Sequence, residues 1–204
     1  MNKLNNREQK AINKKWHISE TAMALFKERG YNSVKVKEIC KAADISLGTF
    51  YHYFSSKDSI IDETYQIIDE RIFECLDERK FNTPIDKILG ILEQSACIMQ
   101  EELGYVLMVG SYYQIISSKP DYSYSHNRNL YVTLVETLKE GIATGYFKKD
   151  TEPEEIAETC LRLGRGDIID WCLKGGAFKL CDLIVKDLKR MLYSIVVNPE
   201  DLEF

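Results

Sequence analysis

Asp44-Ile-Ser-Leu-Gly-Thr-Phe-Tyr-His-Tyr-Phe-Ser-Ser-Lys57 gathers aromatics, a histidine and small hydroxyl side chains into the length of one short helix. Ser46 is a suitable N-cap, and Phe50 and Phe54, four residues apart, share a face that points inward. Leu47, Thr49, Tyr51 and His52 then face outward or sideways, while Tyr53 is assigned to the small core. Just upstream, Val36, Ile39, Cys40 and Ala43 form the short apolar stripe of a second helix. Before that, Trp16, Ile18, Ala22, Leu25 and Phe26 recur at helical spacing from Lys14 to Arg29, and Gly30 follows as a cap. Two short helices joined tightly, with a longer one packed across both, describe a helix-turn-helix.

Charge separates this head from the rest. Residues 1–54 hold 10 Lys+Arg and 5 Asp+Glu; the chain totals of 27 and 32 leave 17 and 27 beyond, a net of +5 against −10. A cationic head on an anionic body directs only the head to a polyanion. Exposed aromatics beside a basic surface fit the backbone and base edges of DNA. With 4 Pro and 11 Gly in 204 residues, turn-rich β architecture is disfavoured and helices are expected throughout. Apolar runs are far shorter than the roughly 20 residues that span a bilayer, and the N-terminus has no apolar signal core, so a cytoplasmic protein is expected. Six cysteines without a C-x-x-C pair read mainly as buried apolar residues; redox activity at any of them is left open.

The run A-L-F-K-E-R-G-Y-N-S-V-K-V-K-E-I-C-K-A-A-D-I-S-L-G-T-F-Y-H-Y-F-S-S-K-D-S-I resembles the DNA-binding domain of TetR-type transcriptional regulators, over roughly Ile18 to Thr64. The resemblance implies an all-α homodimer of about nine helices per subunit. A three-helix DNA-binding domain (1–56) would precede a helical ligand-binding and dimerisation domain (57–204). It further implies that Lys37 approaches a phosphate, that Ser46, Leu47, Gly48 and Thr49 open the recognition helix against bases, and that Tyr51 and His52 meet phosphates or bases. Lys57 is implied to hold the DNA backbone. Two departures stand out. Leu47 occupies a position that is often lysine and offers an apolar contact instead. Val34 and Lys35 stand where Ser or Thr usually begins the second helix, so Lys35 substitutes a charge for a hydroxyl.

Beyond the head, a fourth helix is expected from after Ser56 to about Lys80, a fifth from Pro84, and others over about Tyr122–Thr144 and from Pro153 to Gly175. Met99, Tyr105, Met108, Tyr112, Tyr113, Tyr131, Phe147 and Trp171 are candidate linings of an adaptable apolar pocket for a small-molecule effector. The last two helices are the expected dimer surface, carried by Leu163, Asp167, Leu180, Ile184, Leu188 and Met191. Gly164 and Gly166 each cost about 1 kcal/mol in a helix, a cost that close approach of a partner helix would explain.

No H-E-x-x-H, G-x-S-x-G or P-loop is present, and R-L-G-R-G-D follows no strand. His126 has no partners for a metal. The expectation is therefore a non-enzyme without cofactor or metal. Two readings remain: a regulator bound to a double-stranded DNA operator and released by an effector, or a helical protein–protein interaction module whose head anchors on Tyr51 and His52.

Overall fold

A computed structural model describes residues 6–77, 79–105, 108–110, 112 and 124–198. They fold into α1 (Asn6–Arg29), α2 (Val36–Ala42), α3 (Leu47–Tyr53), α4 (Ser59–Asp77), α5 (Pro84–Ile98), α6 (Asn129–Ala143), α7 (Pro153–Leu173) and α8 (Leu180–Leu192). A 3-10 turn (Tyr31–Ser33) follows α1, a π-turn (Met99–Leu103) follows α5, and residues 108–110 are helical. No strand is formed among the described residues; an antiparallel bridge joins Phe147 to Val196. The all-α class expected from the sequence is the class found.

The helix boundaries have local causes. The Ser46 hydroxyl accepts the Thr49 N–H at 3.0 Å and starts α3. The Thr83 hydroxyl does the same for Asp86 at 3.2 Å, with Pro84 in the first turn of α5. At α2, which lacks a hydroxyl cap, the Glu38 carboxylate reaches back to accept the Lys35 N–H at 2.9 Å. Arg29 donates to the same carboxylate at 2.7 Å. The Lys35 hydrogen bond, then Arg29, holds the Glu38 carboxyl below the ordinary carboxylate range. The α1 helix begins before the expected Lys14, because Glu8, Gln9, Lys10 and Ala11 are good helix formers that carry no apolar stripe. The α6 helix begins later than expected. Ser125 folds the preceding chain into a turn, accepting the Asn127 N–H on its hydroxyl and the Arg128 N–H on its carbonyl, both at 3.1 Å.

Phe26, Ile39, Phe50 and Phe54 fill the head, each at most 2 % exposed. Removing one such phenyl ring costs about 3–5 kcal/mol. The α4 helix leaves this head and continues into the body: Ile60, Ile61, Tyr65, Ile68, Ile72 and Leu76 form one buried stripe. Lys15 of α1 pairs with Glu63 of α4.

Leu180, Ile184 and Leu188, expected on the dimer surface, are at most 3 % exposed within the chain, on a helix that packs against α5. Their stripe reads the same in sequence whichever helix covers it. Asp167 is likewise buried, close to Asp187 of α8. Leu163 and Met191 stay half-exposed and line a shallow outer groove with Thr159, Arg162, Asp187 and Arg190. No helix among the described residues is long and apolar enough to cross a membrane.

Candidate nucleic-acid interface and cavity

Asp44 supplies the turn between α2 and α3 at φ 51°, a left-handed conformation that Asp tolerates better than most residues. Ile45 N–H bonds to the Cys40 carbonyl at 3.0 Å, and His17 Nε2 lies 3.3 Å from the Ala43 carbonyl, tying the turn to α1. Phe50 faces the core, so the opposite side of α3 must face solvent. Leu47 is 41 % and Tyr51 54 % exposed, with Ser46, Gly48 and His52 also exposed and Thr49 half-buried. The Thr49 hydroxyl lies 2.8 Å from that of Ser46. Tyr53 is half-buried against the core. A Cβ on Gly48 would meet only Ser46 Oγ, at 3.7 Å. Packing within the chain therefore does not demand glycine there. Lys35 and Lys37 are exposed on α2 and its entrance.

Lys57 behaves differently from the residues around it. Its ammonium donates to the Tyr31 carbonyl at 2.8 Å and the Val34 carbonyl at 3.0 Å. It also lies 4.0 Å from the centre of the Tyr31 ring. Burial lowers its pKa from the ordinary lysine value, opposed by the Asp58 carboxylate. Lys57 thus holds the turn between α1 and α2, and at most one of its three hydrogens remains for a phosphate. Tyr31 also donates its hydroxyl to Asp58. On its other side, Tyr31 Cβ would sit 2.7 Å from a Cβ built on Gly110, so the body touches the head here with no room for a methyl group.

The body encloses a small cavity of about 60 Å³ among α4, α5, α6, α7 and α8. Of the expected linings, Met99 and Tyr112 reach it. Met108 is buried away from it, Tyr131 stacks on His126 at 4.6 Å, and Trp171 donates its indole N–H to the Phe178 carbonyl at 2.9 Å. Tyr105 is 43 % exposed and packs beside Gly176, while Phe147 lies fully buried beneath Gly141. Tyr113 falls outside the described residues. A periodic aromatic signals a buried face without saying which space it fills. His126, 2.8 Å from Glu158, belongs to no metal cluster among the described residues.

Two polar features of the cavity were missed. Arg128 lines it and pairs with Asp69 of α4, Nη2 to Oδ1 at 2.6 Å and Nε to Oδ2 at 2.8 Å, with both side chains buried. Asp69 interrupts the apolar stripe of α4 and so marked itself in the sequence, but its partner 59 residues away did not. Arg165, over the Tyr124 ring at 4.9 Å, lines the wall with Tyr65 and Tyr124.

Residues 18–64 match the family model described as bacterial regulatory proteins, tetR family. The chain is 28% identical over 143 residues to the HTH-type transcriptional repressor KstR2 of Mycobacterium tuberculosis H37Rv, spanning 68% of this chain and 72% of that protein. Its fold is similar to Thermus thermophilus FadR, a TetR-family transcriptional repressor in complex with lauroyl-CoA. The TM-score is 0.69 at 22% identity, over 90% of this chain and 96% of that one. The ketosteroid transcriptional regulator KstR2 of Mycobacterium tuberculosis aligns with a TM-score of 0.53 at 23% identity, over 96% of this chain and 98% of that one. At these identities the structural likeness establishes the fold.

Proposed function

We infer that this chain, a TetR-type transcriptional regulator by the helices of residues 18–64, is a repressor that a small, mostly apolar effector releases from its operator. The observation that carries this reading is the outer face of α3. There Leu47, Gly48, Tyr51 and His52 stand exposed on a helix whose other side is locked into the head by Phe50. Lys35 and Lys37 flank it with positive charge. The division between DNA-binding head and sensing body is placed after residue 56. The protein works in the cytoplasm and has no catalytic role.

Two copies would set their α3 helices in successive major grooves about 34–36 Å apart, on a palindromic operator. The groove of Leu163 and Met191, and the open space at Gly164 and Gly166, are the surfaces assigned to the second copy. The cavity of about 60 Å³ is far below the roughly 300–1,000 Å³ that small-molecule sites occupy. An effector therefore binds by widening it, and so favours a conformation other than the closed one. The lining accommodates an apolar body, with Arg165 and the tyrosines placed for an acceptor or acidic end. FadR of Thermus thermophilus, which has a similar fold, is in complex with lauroyl-CoA, a ligand with an apolar acyl chain and an anionic end.

Selection of bound duplexes from a random pool tests the reading. A palindromic consensus should emerge, and affinity should fall steeply with salt in proportion to the phosphates neutralised. Lauroyl-CoA and a steroid are then titrated as release probes. Retention of no duplex at low salt would sink the DNA-binding assignment and favour a protein partner for Tyr51 and His52.

A further inference from the structure

The sequence leaves open whether any of the six cysteines is redox-active, and the fold brings two of them together. Cys97 lies at the end of α5 and Cys181 at the start of α8, 84 residues apart in sequence. The Cys97 thiol points at Cys181 Sγ, 2.6 Å away. Both residues are half-exposed, whereas Cys40 and Cys160 are buried and Cys75 stands on the surface of α4. The junction is already held: the Leu180 N–H donates to the Gln100 side-chain oxygen at 2.6 Å. The residues beside the two thiols, Ala96 and Met99 on one side and Ile184 on the other, line the cavity.

We propose that Cys97 and Cys181 form a reversible intramolecular disulfide, driven by a hydroperoxide, that staples α8 to α5 at the cavity wall. The chemistry balances in two steps. One oxygen of the hydroperoxide passes to the Cys181 sulfur, breaking the O–O bond, giving a sulfenic acid and releasing the alcohol, or water from hydrogen peroxide. The Cys97 sulfur then displaces that hydroxyl, forming the S–S bond, and its proton leaves with the hydroxide as water. Two electrons and two hydrogens leave the protein and reduce one hydroperoxide; a dithiol restores both thiols. Burial, then the Cys181 neighbour, pushes the Cys97 thiol up to about 12, so the first oxygen transfer is assigned to Cys181 rather than to Cys97. A protein that works on DNA sits where thiols are kept reduced, so a bridge there reports oxidation rather than serving as a permanent brace. Closing so long a loop restricts the unfolded chain and stiffens the cavity wall.

The test treats the full-length protein with hydrogen peroxide and maps its peptides without reduction. The expected product is one intrachain link joining the Cys97 and Cys181 peptides, with the loss of two hydrogens in intact mass. Tm should rise by several degrees and dithiothreitol should reverse it. Cys97→Ser and Cys181→Ser should each abolish the link, and Cys75→Ser should leave it in place. The wild-type map stands whether or not either variant folds, and differential alkylation of the six thiols checks it independently. A link between other cysteines, a link between subunits, or thiols at 97 and 181 still free when Cys75 is oxidised would each overturn the proposal. None of these readouts uses DNA, so the result is independent of the operator assignment.

Discussion

At the scale of single residues, Tyr51 and Lys57 illustrate how neighbours in one motif can do different work. Tyr51 is 54 % exposed and touches little within the chain beyond the edge of Phe50. Tyr51→Ala should weaken operator binding roughly tenfold, about 1.4 kcal/mol, with unchanged Tm in the same preparation. Lys57→Met should behave oppositely. It leaves the Val34 carbonyl without this donor, at about 1–3 kcal/mol, while the Tyr31 carbonyl keeps the Val34 N–H at 3.4 Å, so thermal unfolding should register the loss first. Equal Tm for wild type and Lys57→Met would show that the ammonium does not hold the turn. The exposure of Tyr51 was legible from the four-residue spacing of Phe50 and Phe54. The inward pull on Lys57 was not, because its acceptors lie 23 and 26 residues away.

At the scale of elements, α4 and α7 each carry a buried carboxylate with a different environment. Asp69 on α4 is matched by the Arg128 guanidinium at the start of α6. Breaking that pair with Arg128→Met leaves a buried charge and should cost about 3–5 kcal/mol in a denaturant titration, whereas breaking the exposed Lys139–Glu154 pair should leave the same titration little changed. Asp167 on α7 has Oδ2 without a hydrogen-bond partner, and burial, then Asp187 and Asp170, raises its pKa from 3.8 to about 6. A carboxyl whose pKa is raised on folding favours the fold below its unfolded value, near pH 3.8, and loses that contribution as pH rises through about 6. Asp167→Asn should therefore raise Tm by a few degrees at pH 8, and the gain should shrink towards pH 4. A gain that is constant with pH would exclude titration of Asp167 as its source. Helix periodicity placed both carboxylates on helices, but the sign of each effect depends on what the opposite helix presents.

At the scale of the whole molecule, the head and the body meet where Gly110 faces Tyr31. The same tyrosine holds Lys57 and Asp58, at the threshold of α4. Tyr112, two residues from Gly110, lines the cavity. Widening the cavity is thus mechanically close to the turn that sets α2 and α3. Gly110→Ala puts a methyl group 2.7 Å from Tyr31 Cβ, so the head must shift against the body. We expect severalfold weaker operator binding in the absence of any effector, with α-helical content by circular dichroism unchanged. Wild-type affinity in that variant would show that this contact does not transmit.

Local pattern sufficed for the helical class, the helix-turn-helix, the Ser46 and Pro84 starts and the outward face of α3, because each depends on residues within a turn or two of one another. The cavity, the inward stripe of Leu180, Ile184 and Leu188, the Asp69–Arg128 pair and the meeting of Cys97 with Cys181 came only with the packed chain. Each joins positions tens of residues apart, and an apolar stripe or a lone charge specifies that it must be covered, not which distant helix will cover it.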